Sequence, residues 1–81
     1  MTLDEELLAV LKDHVDHDAF IPIKQIVAWW RQANPSASYI SNRFVGRRLR
    51  RIGLTDFRQV AGSSEARLSP AIIRELKTRN I

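Results

Sequence analysis

Leu3, Leu7, Leu11 and Val15, with Leu8 beside them, recur about every four positions, the spacing that lines one face of a helix, and predict a first helix over about 3–15. Thr2-Leu3-Asp4-Glu5 marks its start, because a hydroxyl and a carboxylate three residues apart can each satisfy a free N–H at a helix N-terminus. Asp16-His17-Asp18 breaks the stripe, and Ala19-Phe20-Ile21 has the length of a brief strand running into Pro22, which suits the first turn of the next helix. Ile23, Ile26, Val27 and Trp30 then stand at i, i+3, i+4 and i+7 and predict a second helix over about 22–33, stopped by Asn34-Pro35-Ser36. From Ser41 the pattern is helical again to Ile52, with Phe44, Val45, Leu49 and Ile52 on one side and Gly53 as a C-terminal stop. Two short segments, Phe57–Ala61 and Glu65–Leu68, flank a Gly62-Ser63-Ser64 tip and read as a hairpin. Ser69-Pro70 opens a last helix over about 70–79, with Ile72, Ile73 and Leu76 on its apolar side.

That order, helix, short strand, helix, turn, helix, hairpin, predicts a mainly α fold with a small β-hairpin: a winged helix-turn-helix with a three-helix core, a wing and a C-terminal helix. Residues 1–81 are expected to form a single winged-helix domain, since 81 residues have room for one core. Leu7, Leu11, Ile26, Val27, Trp30, Val45, Leu49, Ile52 and Ile72 are expected to be buried together.

Composition narrows the chemistry. The absence of cysteine removes disulfides and thiolate metal sites, and no apolar run approaches the roughly 18 residues of a membrane span. Together with an acidic rather than basic N-terminus, this leads to the expectation of a cytoplasmic protein, at a nucleoid or a viral replication site, with no membrane partner. The net charge of +4 is unevenly spread. Residues 1–20 hold six carboxylates against Lys12 alone, a net −5, so residues 21–81 carry +9. Five arginines fall within positions 43–51, and no acid occurs between Asp18 and Asp56. Such a basic patch points to a polyanion, most often nucleic acid, because neutralising phosphates releases condensed counterions.

At 3.6 residues per turn, Arg43, Gly46, Arg47 and Arg50 lie opposite the apolar side of the third helix, with Asn42 at the border and Arg51 flanking. These are the expected DNA-facing residues. Arg48 points toward the body, where its stem can cover the core or its guanidinium can meet an acid of helix 1. A guanidinium suits this work because its planar fork binds a phosphate or the O6/N7 edge of guanine bidentately. Gly46 costs roughly 1 kcal/mol against alanine in a helix interior, and on the exposed side it would let a phosphate or a neighbouring segment come close. The plainer alternative is that the five arginines solvate the helix and complement its C-terminal dipole. Arg58 and Arg67, either side of the hairpin tip, are candidates for the sugar-phosphate backbone or the minor groove, or else ordinary strand-surface cations. Tyr39 and Ser41, leading into the third helix, are candidate phosphate contacts, and Tyr39 serves equally as a packing residue. Trp29 is either a second core aromatic against helix 1 or a half-exposed contact for a partner.

Asp13-His14-Val15-Asp16-His17-Asp18 has metal-ligand side chains, but it straddles a helix end, and no metal or cofactor is expected. There is no glycine-rich phosphate loop and no cysteine nucleophile, and Ser63 and Ser64 have no histidine nearby in sequence, so a binding module rather than an enzyme is expected.

The helix carrying Ile23, Ile26, Val27 and the pair Trp29-Trp30, followed by Ser41, Arg43, Val45, Gly46, Arg47, Arg48, Leu49 and Gly53, resembles the C-terminal winged-helix domain of phage, plasmid and poxvirus-type primase-helicases. The likeness covers about 20–60, and its most specific piece runs from Gly46 to Leu49. The resemblance implies a DNA-binding appendage of a replication protein body, with Arg43, Arg47 and Arg48 at the DNA. Alternatives of other kinds are a free-standing DNA-binding transcription regulator, and a winged helix turned to protein docking through Trp29, helix 1 and the acidic N-terminus.

Overall fold

The computed structural model describes residues 2–80, and over these the chain forms four α-helices and a small three-stranded antiparallel sheet. Helix α1 runs Leu3–His14, closed at its start by the expected reciprocal cap: Glu5 N–H donates to Thr2 Oγ1 at 3.2 Å, and Thr2 N–H donates to Glu5 Oε1 at 3.3 Å. Strand β1, Ala19–Pro22, leads into α2, Ile23–Ala33. Pro22 ends the strand and stands at the N-cap, so the first turn of α2 begins one residue later than the sequence pattern suggests.

Helix α3 spans Asn42–Arg51, with the Ser41 hydroxyl accepting from Phe44 N–H at 3.2 Å. It ends in a Schellman arrangement: Leu54 N–H bonds Leu49 O at 3.0 Å, Gly53 N–H bonds Arg50 O at 3.1 Å, and Gly53 takes φ 107°, a conformation that glycine adopts without a Cβ penalty. Strands β2, Phe57–Val60, and β3, Ser63–Leu68, form the hairpin, and α4, Pro70–Asn80, follows.

The hairpin differs from the sequence expectation in its tip. The turn is Ala61-Gly62 rather than Gly62-Ser63-Ser64, because Ser63 and Ser64 continue β3 and pair with Val60 and Gln59. Ala61 and Gly62 both have positive φ, 50° and 80°, as a tight type I′ hairpin requires, and the twist of that turn matches the twist of the strands. The short strand before Pro22 also gains a partner: β1 pairs antiparallel with β3, giving the order β1-β3-β2. Ala66 and Leu68, on one face of β3, are fully buried, while Arg67 on the other face is exposed.

The core gathers the apolar stripes of α1, α2 and α3, with α2 packed against both neighbours and α4 laid on α1. Leu7, Leu11, Ile26, Trp30, Val45 and Leu49 are 0% exposed and Ile52 2%. Ile72 is only half-buried; Ile73 and Leu76 carry the buried face of α4 in its place, with Leu76 beside Gly53 at the end of α3. Trp30 is the largest fully buried side chain, and its indole Nε1 is enclosed without a hydrogen-bond partner, a cost of about 1–3 kcal/mol set against a large apolar burial. No helix among the described residues is long and apolar enough to cross a membrane.

Candidate nucleic-acid interface

Between α3 and the hairpin lies a groove of about 540 Å3. Helix α3 supplies one wall through Asn42, Arg43, Gly46, Arg47 and Arg50, and Lys24 of α2 adds a further cation. The opposite wall comes from Phe57, from Gly62 of the turn and from Ser63 and Ser64 at the start of β3. Four cations thus line one cleft with no carboxylate among the lining residues. Arg43, Arg47 and Lys24 are exposed and make no ion pair or side-chain hydrogen bond with the described residues, which leaves their full charge to the groove.

Arg50 is held. Its guanidinium lies over the Phe57 ring, 4.4 Å from the centroid, and Nη1 donates to Gly46 O at 3.4 Å. Gly46 itself is buried, against the expectation of an exposed position, because the Arg50 side chain folds back over it within the groove. A Cβ on Gly46 would meet only that guanidinium, 3.4 Å away, so no other segment of the protein requires glycine there.

The remaining arginines divide by what they touch. Arg51 is exposed, beside the groove rather than in it. Arg48 turns to the body as the helical period predicts: Nη1 lies 3.4 Å from Asp4 Oδ1 of α1, and the guanidinium stands 5.4 Å from the Phe44 ring centroid.

Arg58 and Arg67 lie outside the groove. The register places Arg58 beside Glu65, with Nε donating to Glu65 Oε1 at 2.7 Å, and its guanidinium covers the Phe20 ring at 4.0 Å. Arg67 donates through Nε and Nη2 to the two oxygens of Asp18, at 3.1 and 2.8 Å, and through Nη1 to Asp56 at 3.4 Å. Hydrogen bonding from Arg67 holds the Asp18 carboxyl below its ordinary range, and the two carboxylates raise the Arg67 guanidinium in turn. Both arginines tie the sheet together on the face away from α3, with about half of each side chain still exposed.

Ser41 is occupied as the α3 N-cap, and Tyr39 is 49% exposed, its ring set edge-on against Phe44 at 5.2 Å. The two histidines go separate ways. His14 stacks on half-buried Trp29, centroids 4.6 Å apart and planes 14° from parallel, and His17 Nδ1 pairs with Asp16 Oδ1 at 2.6 Å, a hydrogen bond that lowers the Asp16 pKa. Among the described residues no three His, Asp or Glu side chains are brought together as a metal would need.

Sequence reasoning overlooked Lys24, Phe57, Ser63 and Ser64 as groove residues. The only signal for Lys24 is its place off the apolar stripe of α2, and the serines were assigned to a loop tip. In comparisons with family models, curated proteins and solved structures, nothing matches this chain.

Proposed function

We propose that the chain is a winged-helix module that binds double-stranded DNA, with α3 in the major groove and the β2–β3 hairpin as the wing along the adjacent backbone. The observation that carries this reading is the cleft between α3 and the hairpin, where Lys24, Arg43, Arg47 and Arg50 converge with no carboxylate among the lining residues. An arginine face that merely solvates a helix has no need of a second wall. The hairpin brings an uncharged wall, Gly62, Ser63 and Ser64, so the arginines of α3 carry the electrostatics and the wing supplies shape. Service in DNA replication, as part of a primase-helicase type of protein, rests on the resemblance of the Gly46-to-Leu49 string alone. No catalytic residue and no cofactor enters this proposal.

Fluorescence anisotropy with duplex and single-stranded oligonucleotides across a salt series tests it. The expected result is preference for the duplex and a log affinity that falls linearly with log salt, by about 0.9 for each phosphate neutralised. A flat salt response, or no duplex binding at low salt, would move the function to protein docking. That second reading has its own observation, a shallow cleft of about 410 Å3 in which Trp29, Phe20, Ile21 and Pro22 meet the end of α1. Docking there would survive removal of Arg43 and Arg47.

A further inference from the structure

The four groove cations are not equivalent. All four are exposed, but Lys24, Arg43 and Arg47 are unpaired among the described residues, whereas Arg50 is held by the Phe57 ring at 4.4 Å and by Gly46 O at 3.4 Å. A phosphate is met adequately by a mobile cation, because the attraction is weakly directional. Reading a base is different: two N–H groups of one guanidinium must lie in the plane of the guanine O6/N7 edge, and a side chain already fixed in position loses less rotamer entropy in making that pair. Arg50 spends one N–H on Gly46 O and keeps the others. Its orientation is built from two elements, the ring from β2 and the carbonyl one turn back on α3.

Gly46 fits the same arrangement. Glycine weakens a helix interior, yet here a Cβ would touch nothing except Arg50 Nη1, at 3.4 Å. The residue missing a side chain is the one over which the guanidinium folds.

We infer that Arg50 is the base-reading residue of the groove, selecting guanine, with Phe57 and Gly46 as its positioning residues, and that Lys24, Arg43 and Arg47 neutralise phosphates without reading sequence. This rests on the duplex-binding reading proposed above.

Selection from a randomised duplex library, followed by anisotropy on selected and scrambled duplexes, separates the roles. The wild-type chain is expected to enrich a guanine at one position and to prefer it over other bases by roughly 5- to 150-fold. Arg50→Ala is expected to abolish that preference while leaving a salt-dependent affinity for scrambled duplex. Phe57→Leu is expected to weaken the preference without changing the salt slope, and Phe57→Tyr, which keeps the ring, to preserve it; circular dichroism establishes that each variant folds. Arg43→Ala and Arg47→Ala are expected to weaken all duplexes alike and to reduce the salt slope by about 1 each. A guanine preference that persists in Arg50→Ala, or salt-dependent binding with no guanine enriched by the wild type, overturns the assignment and leaves duplex binding standing. Absence of salt-dependent duplex binding by the wild type overturns both.

Discussion

Arg48 and Asp4 meet across the α1–α3 contact, guanidinium Nη1 to carboxylate Oδ1 at 3.4 Å, with both side chains only about a quarter exposed. Arg47, one position earlier, reaches no acid and lines the groove. Adjacent arginines on one helix thus face opposite tasks, because 100° of helical rotation separates them. Arg48→Ala is expected to lower stability by about 1 kcal/mol through the lost pair and the lost contact with Phe44, and to leave duplex affinity nearly unchanged. Arg47→Ala is expected to do the reverse, keeping stability and weakening duplex binding. Chemical denaturation and anisotropy in one buffer check both. Equal binding losses with unchanged stability would mean that local charge, not a defined face, carries the contact.

Leu49 is fully buried where α3 joins the core, so Leu49→Ala is expected to cost about 2–5 kcal/mol in urea denaturation. An unchanged midpoint would contradict the assignment of the inner face of α3, and with it the outward direction of Arg43 and Arg47.

Gly46→Ala is expected to raise the stability of the free protein by about 0.5–1 kcal/mol, since alanine favours the helix interior and its Cβ meets only the movable end of Arg50. Duplex affinity is expected to fall modestly, because the methyl group, in van der Waals contact with that guanidinium, limits its movement toward the helix. A variant that gains stability and keeps full affinity would remove Gly46 from the interface.

Ala61 holds a positive φ of 50° in the hairpin turn, a conformation that disfavours side chains other than Asn and Asp. Ala61→Asn is expected to stabilise the fold by roughly 0.5–1 kcal/mol, because Asn-Gly is the preferred pair for a type I′ turn. Thermal melting of the two proteins checks it. A lowered melting temperature would argue against that turn.

The Asp18 carboxyl has its pKa lowered from 3.8 by hydrogen bonding to Arg67. The unfolded chain therefore binds more protons in this range, so the contribution of the pair is present above pH 3.8 and is lost as pH falls through the lower native value. The pair is exposed, and the expected readout is local: carboxyl chemical shifts of Asp18 titrating below 3.8, and returning toward it in Arg67→Ala. An unchanged titration in that variant would show that Arg67 is not the cause.

Local chemistry in the sequence determined the helices and their ends. The Thr2–Glu5 box, the Ser41 cap and the Gly53 stop all form as their spacing dictates, since each involves residues within one or two turns. The 3.6-residue period likewise separated Arg47 from Arg48 and named most of the core, because a helix fixes the angle between its own side chains. Only the tertiary structure decided which strands pair. Whether Ala19–Pro22 finds β3 depends on residues more than forty positions away, and a turn of two residues rather than three sets which face Arg58 and Arg67 occupy. In a strand a shift of one residue exchanges the faces, so the register, which the sequence left open, decided that Arg58 pairs with Glu65 and Arg67 with Asp18 and Asp56 on the side away from α3. The same nonlocal packing brought Lys24, Phe57, Ser63 and Ser64 to the groove and set the Phe57 ring against Arg50. Periodicity orients side chains about one helix axis; where two elements meet is set by how their buried faces fit.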